Sequence, residues 1–510
     1  MLRSTAAFTR RIHLFLRSRN MSTSSRTYND AVNALNTLQT NAAVLDALRK
    51  SGGKMNATSL PEMHEWIRRV GYTASDFDKL NIIHVTGTKG KGSTCAFVNS
   101  ILRQYQAKYS KPHKIGLFTS PHLKAVRERI QLDGEPIPEP LFAKYFFEIW
   151  DRLESSALAE NLDPANKPVY FRFLTLMSWH VFLSEGCDTA IYEVGVGGEY
   201  DSTNIVQRPT VTGVTSLGID HVAVLGGTIE EIAWHKGGIY KKGVPAFSVE
   251  QSSRSALELL RKRAEEREAQ PFEVVPVHPA VPQIKMGLPA VFQQSNASLA
   301  MNLVASHLPH VGLPIPDLAK DLPEEMVRGL ERVNWPGRCD VRVEGETEWC
   351  LDGAHTTESL EAAGVWIATR FLQEDRPGKR VLVFNQQTRN ATELLTTLYT
   401  TIRTTLSTSI PTGPIFDTVI FCTNVTFKAS GYNSDLLSIN TSADDVKALT
   451  VQHELRDTWE KLGAGGDVHV CGTIEEAVGV VRGVEAEGGK QVFVSGSLHL
   501  IGGVLVVLDK

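Results

Sequence analysis

HVTGTKGKGSTCAF, residues 84–97, decides how the rest of the 510-residue chain is read. Gly87, Gly90 and Gly92 alternate with Thr88, Lys89 and Lys91, and Ser93 and Thr94 follow. The stretch trails an apolar β-like run, NIIHV (81–85), and opens a helix-like one, which is the setting of a phosphate-binding loop. There, glycines let the backbone approach an anion, and N–H groups at the helix start point at it. Lys91 can neutralise phosphate charge, and Ser93 or Thr94 can offer a hydroxyl. The usual pattern, G-x-x-x-x-G-K-[ST], is nevertheless broken, because Gly92 separates Lys91 from Ser93. A glycine-rich turn without a ligand is the plainer alternative; the strand before it and the helix after it weigh against that.

Working outward, short β-like runs alternate with helix-like ones. Strands are expected at 81–86, 113–119 (HKIGLFT), 188–194 (DTAIYEV) and 210–217 (TVTGVTSL), and helices at 95–109 and 140–158. Apolar residues at helical spacing between 28 and 50 (Val32, Leu35, Leu38, Val44, Leu45, Leu48) predict a helix there, ended by SGGK at 51–54. ERVNWPGRCDV (331–341) interrupts the alternation, which resumes with ETEWCLD, KRVLVFN, FDTVIFCTN, DVHVCG and KQVFVSG. The polar stretch 406–414 reads as a loop. Strand–helix alternation predicts α/β architecture with largely parallel sheets and helices on both faces. Two such domains are expected, 28–334 and 339–510, joined by a linker at 335–338.

Bulk properties narrow the function. A formal charge of −4 gives no basis for a nucleic-acid partner. The six cysteines lack C-x-x-C spacing, which speaks against a disulfide framework and for a reducing compartment. The longest apolar run, LIGGVLVVL, is about half the ~20 residues of a membrane helix, so no integral membrane segment is expected. Residues 1–27 differ from the rest. They hold Arg3, Arg10, Arg11, Arg17, Arg19 and Arg26, and no acid precedes Asp30. That is the composition of a mitochondrial presequence, with a disordered basic tail as the alternative. Met21 lies inside it, so a second start there would give a cytoplasmic form beside the mitochondrial one.

Further motifs follow the candidate strands. TSPHLKAVRERI (119–130) contains Ser120 and comes after the second. YEVGVGGEYDSTN (192–204) puts the carboxylate of Glu193 at the end of an apolar strand, where it is costly unless paired or metal-bound; an oxygen ligand there suits Mg²⁺. SLGIDHVAVLG (216–226) contributes His221, and TIEEIAWHKGGIYKKG (228–243) contributes Lys236. QQSNASLA (293–300), WPGRCDV (335–341) and LDGAHTTES (351–359) add Asn296, Arg338, Asp352 and His355. An acid such as Asp352 before a helix is otherwise often an N-cap. The first four motifs lie at the carboxyl ends of successive strands, the edge where open α/β sheets bind ligands.

The loop with its extra glycine, taken with these motifs, resembles the folate branch of the Mur ligase superfamily, the folylpolyglutamate and dihydrofolate synthases. Detail at 37–46 and 81–97 is most similar to the eukaryotic polyglutamate type. The resemblance is dense over about 28–239, returns at DGAH and at 495–505, and thins over about 251–331 and 400–466. FNQQTRNATELL (384–395) departs from the family by having Asn390 in place of an acid, and no substrate contact is assigned to it. The resemblance implies an N-terminal P-loop domain of Mur-ligase type and a Rossmann-like C-terminal domain. It implies that Gly87, Thr88, Lys89, Gly90, Lys91, Gly92 and Ser93, with Asn296, Arg338 and Asp352, hold ATP. Ser120, Glu193 and His221 would bind Mg²⁺, with two metal sites allowed, and Lys236 would be carbamylated. Lys91, Lys236, His221 and His355 would serve the chemistry. The implied reaction joins L-glutamate to the γ-carboxylate of a reduced folate through an acyl phosphate, in a monomer. Dihydrofolate synthase, which shares every motif, and a regulatory P-loop NTPase or kinase are the alternatives.

Overall fold

In the computed structural model the described residues are 26–39, 57–373, 378–387, 389–406, 413–429, 434–436 and 443–510. The basic segment 1–25, the apolar positions Val44, Leu45 and Leu48, SGGK at 51–54 and most of the stretch 406–414 lie outside them.

The first sheet has eight strands in the order β4-β3-β2-β5-β1-β6-β7-β8. These are β1 (Ile82–Thr86), β2 (Ile115–Phe118), β3 (Ile130–Leu132), β4 (Glu135–Pro136), β5 (Thr189–Glu193), β6 (Val211–Val214), β7 (Ala246–Val249) and β8 (Phe272–Val275). Strands β2, β5, β1, β6, β7 and β8 run parallel, and β3 and β4 add an antiparallel edge. β1 and β5 are buried along their whole length, as near-continuous apolar runs must be when helices cover both faces.

The helices that matter below are α1 (Tyr28–Asn36), α2 (Lys91–Tyr109), α3 (Tyr170–Ser184), α4 (Ile229–Lys236), α5 (Gln293–His307), α6 (Thr357–Gln373) and α7 (Leu498–Leu508). On one face of the sheet, Phe97, Ile101 and Leu102 of α2 and Leu299 and Leu303 of α5 pack on Ile83 and Val85. On the other, Phe173, Trp179 and Phe182 of α3 pack with Ile82 and Tyr192. The expected strands appear within two residues of their predicted ends, except that β6 stops at Val214, three residues short of the predicted 217. Helix α2 opens at Lys91, earlier than the predicted 95, because Gly90 at φ +87° turns the chain and accepts the Thr94 amide at 2.8 Å.

The second sheet has the order β13-β12-β11-β14-β10-β9. Its strands are β9 (Asp340–Glu344), β10 (Thr347–Leu351), β11 (Lys379–Phe384), β12 (Thr418–Cys422), β13 (Asp467–Cys471) and β14 (Lys490–Ser495). All pairs are parallel except β9–β10.

The two halves meet tightly at Leu123. Its side chain packs against the apolar cluster of the second sheet. A Cβ on Gly502 of α7 would lie 1.9 Å from the Leu123 carbonyl oxygen, and one on Gly337 would lie 2.9 Å from Ile501 and 3.2 Å from Leu123. Among the described residues no helix is long and apolar enough to cross a membrane, and all six cysteines are buried and in no disulfide.

Candidate active site

The loop after β1 is fixed from outside. The Thr88 and Lys89 amides donate to the Ser216 carbonyl at 2.9 and 3.1 Å, and the Thr215 hydroxyl donates to the Lys89 carbonyl at 2.6 Å. Gly87 has φ +152°, and a Cβ there would stand 1.7 Å from Thr215 Oγ1; Gly90 would meet Asn296 Oδ1 at 2.2 Å. Both positions require glycine on conformation and on space. Ser93 accepts a hydrogen bond from Gln293 at 3.2 Å, and Gln293 accepts one from Asn296 at 2.8 Å. Helix α5 thus places Asn296 directly at the loop.

Gly92 has a different reason. A Cβ there would lie 3.3 Å from Trp335 Nε1 and 3.4 Å from Glu193 Oε2. The extra glycine keeps the first turn of α2 clear of the Glu193 carboxylate. Glu193 is buried at the end of β5, where it accepts the Thr119 hydroxyl and, at 3.1 Å, the Ser120 amide. Among the described residues no cation pairs with it. Ser120 and Glu193 are therefore adjacent, and a buried carboxylate whose only partners are neutral donors fits a hard cation. Among the described residues no three of His, Cys, Asp and Glu converge as a metal cluster.

Opposite lies a set of basic groups. Lys91 donates to the Gly87 carbonyl at 3.0 Å, and Lys236, at the end of α4, donates to the same oxygen at 2.7 Å. Lys236 is buried, and burial followed by the charge of Lys91 holds its amine well below the ordinary lysine range. His221 follows β6 at φ +52°. Burial pushes its pKa down to about 4 against the pull of Asp220, with Lys91, Lys236 and Arg389 adding to the fall. Asp220 pairs with Lys89 at 3.1 Å and with Arg389 at 3.0 Å, and it accepts the His221 amide at 2.8 Å. Burial works to raise the Asp220 carboxyl, but Lys89, His221 and Arg389 together hold it below the usual carboxylate range.

The second sheet supplies the remaining candidates. Asp352, after β10, accepts the Cys339 amide at 2.9 Å and the Ala354 amide at 3.0 Å. It thereby ties the chain at 339 to the end of β10, a role other than capping α6. Burial raises its pKa, with Arg338 opposing. Arg338 lies on the wall of a cavity of about 450 Å³ that also touches Thr119, Trp335 and Leu498. His355 donates from Nδ1 to the Gly353 carbonyl at 2.8 Å, leaving Nε2 as the acceptor nitrogen. Burial, then the charge of Lys89, pushes its pKa down to about 4.

The structure therefore brings the loop, Lys236, His221 and His355 into one basic neighbourhood and sets Ser120 with Glu193 beside Gly92. Sequence reasoning missed Arg389 and Asp220, which join the halves. Arg389 stands in the FNQQTRN segment that departs from the family pattern, and its contact with Asp220 spans 169 residues, beyond any local signal.

A parallel sheet with a glycine–lysine loop, joined by side chains from a second α/β unit, makes a two-part α/β protein with a phosphate-binding loop. The comparisons are specific. Residues 337–507 match the family model described as dihydrofolate synthetase, C-terminal domain. The chain is 48% identical to the folylpolyglutamate synthase of Neurospora crassa over 504 residues, covering 98% of this chain and 94% of that one. It is also 48% identical to that of Saccharomyces cerevisiae over 495 residues, covering 95% and 87%. Among solved structures, the apo form of L. casei FPGS superposes with TM-score 0.66 at 20% identity, over 95% of this chain and all of that one. E. coli FolC in complex with DHPP and ADP superposes with TM-score 0.61 at 21% identity, over 92% and 98%. The chain belongs to the folylpolyglutamate synthase family.

Proposed function

We propose that this chain uses ATP to join L-glutamate to the γ-carboxylate of a reduced folate or its polyglutamates. A carboxylate is a poor electrophile, since oxide is a poor leaving group. Transfer of the γ-phosphoryl group to it gives an acyl phosphate; the glutamate amine then attacks the carbonyl, an amide forms and phosphate departs. The observation that carries this reading is the placement of Glu193. It is buried beside Ser120 and faced by Gly92 at the head of the phosphate loop, with Lys91, Lys236, Lys89 and Arg389 gathered around that loop for anionic reactants.

Mg²⁺ held by Glu193 and Ser120 would offset charge on the transferring phosphoryl group. His221, neutral through burial, is available as a further nitrogen ligand. The rest of the work falls to the chain's own groups. Loop amides at the start of α2 bind phosphate oxygens, Arg338 offers a forked donor from the other half, and His355 has a free acceptor nitrogen. Burial and the charge of Lys91 hold the Lys236 amine well below the ordinary lysine range, toward the neutral form that adds CO₂, so carbamylation there is part of the proposal. Also part of it are a division at 335–338 between domains 28–334 and 339–510, a monomer, and mitochondrial and cytoplasmic forms that differ by the segment before Met21.

Dihydrofolate synthase is the second reading, favoured by the description of the family model over 337–507. Purified protein with MgATP, glutamate and either tetrahydrofolate monoglutamate or dihydropteroate separates the two. Phosphate release with a ladder of masses one glutamyl residue apart on tetrahydrofolate is expected. Product from dihydropteroate alone would replace the first reading with the second, and ATP turnover without a new amide would remove both.

A further inference from the structure

The segment 119–130 holds a charged group that none of the above uses. Arg129 immediately precedes β3, and its carbonyl accepts the Thr119 amide at 3.0 Å. Its backbone is thus locked beside the residue whose hydroxyl donates to Glu193. The side chain is equally fixed. Arg129 Nε donates to His122 Nδ1 at 2.9 Å, while His122 Nε2 donates to the Asp435 carbonyl at 2.7 Å. The guanidinium carbon sits 5.5 Å from the centre of the Tyr170 ring.

Among the described residues the two terminal nitrogens of that guanidinium have no hydrogen-bond partner. Among the described residues no carboxylate forms an ion pair with Arg129. Glu128 is turned away, its oxygens taken by the amides of Leu123, Lys124 and Ala125. Asp435 accepts the Val126 amide at 2.8 Å and the Tyr28 hydroxyl. Tyr170, Glu193 and Glu128 act on Arg129 only at longer range, without a hydrogen bond to its fork. A half-buried guanidinium with its stem oriented and its fork without a carboxylate is a ready receptor for an anion. The planar fork selects a carboxylate or phosphate held through two parallel bonds.

We infer that Arg129 receives the α-carboxylate of the terminal glutamyl residue of the folate substrate, and so turns the γ-carboxylate toward Glu193 and the phosphate loop. The inference rests on the ligase reading and deepens it. Every γ-glutamyl tail ends in two carboxylates, and only one is to be activated. The β2–β3 edge sets an anion receptor, Arg129, beside the activating site, so a substrate with both ends bound has one orientation. Binding the α-carboxylate also makes each product a fresh substrate, since every added glutamate restores the same pair of ends.

The test pairs two substrates with three full-length proteins: tetrahydrofolate monoglutamate and its terminal α-carboxamide, against wild type, Arg129→Ala and Arg129→Lys. Wild type is expected to lose on the order of 10- to 100-fold in kcat/KM on the amide. Arg129→Ala should lose as much on the acid and nothing further on the amide, with KM for MgATP unchanged. Arg129→Lys should recover part of the loss, because lysine restores the charge without the fork. Equal use of acid and amide by wild type would overturn the inference, even if the variants failed to fold, as would losses that multiply. If wild type forms no glutamyl product from either compound, the ligase reading itself has failed; a normal ladder with no acid–amide difference removes Arg129 alone.

Discussion

On the first sheet, the phosphate loop is held complete by its neighbours, with Ser216 accepting two amides, Thr215 closing on Lys89, and Asn296 and Glu193 standing against Gly90 and Gly92. On the second, His355 and Arg389 come from loops, and Arg389 reaches the first half through one ion pair with Asp220. One half carries a receptor built before any ligand arrives; the other lends side chains across a seam. The electrostatics differ in the same sense. Lys236 is sealed against a backbone carbonyl, whereas the side chain of Arg389 keeps 35% of its exposure.

The largest test of that contrast is Glu193→Gln. The amide oxygen can still accept from Thr119 and Ser120, so the fold should hold, while glutamate-dependent phosphate release should fall by on the order of a thousandfold. Thermal melting beside steady-state kinetics checks both halves of the expectation; a variant that melts early would mean the carboxylate is structural. A smaller effect is expected from Arg389→Ala, on the order of tenfold in kcat/KM for an anionic substrate. Asp220→Asn should act on the same link, so the double variant should fall short of the product of the two losses.

Acid should separate the halves more gently. His307 is buried between Thr189 and Thr210, 2.9 Å from each, and burial pushes its pKa down to about 3, as it does for His84. Between that value and the ordinary 6.5, the unfolded chain binds a proton that the folded one refuses. Stability is therefore lost as pH falls through this window, by up to about 1.4 kcal/mol per pH unit for each such ring. Among the described residues the second half has no fully buried histidine; His355, pushed down to about 4, and His499, also lowered, give it a smaller share of the same loss. Hydrogen exchange at pH 7 and pH 4.5 should show β1, β5 and β6 losing protection before β10, β11 and β14, and His307→Gln should narrow the gap.

Much of this was legible in the chain. Strands 81–86 and 188–194 are apolar runs bounded by turn residues, and burial on both faces demands that pattern. β7 and β8, AFSV and FEVV, are too short to stand out, and β9 exists only as the return arm of a turn at Gly345. Within the site, the loop and Glu193 could be read because strand, turn and helix are local. Arg389 could not, because its partner Asp220 belongs to the other sheet. Asp352 shows the opposite difficulty. Its position before a helix suggests an N-cap, yet the fold gives its oxygens to Cys339 and Ala354. Arg129 is plain in the sequence, but that its fork lacks an anion is visible only once Glu128 is seen spent on three loop amides.

Gly502 extends the comparison to inheritance. It touches no candidate ligand, and it lies in an apolar C-terminal helix where alanine would ordinarily be welcome. Yet the Leu123 carbonyl occupies the space where any side chain would begin. In a population of variants screened for growth, this position would be as intolerant as the phosphate loop, for a reason unconnected with chemistry. Invariance there would record the fit of two halves that must evolve as one.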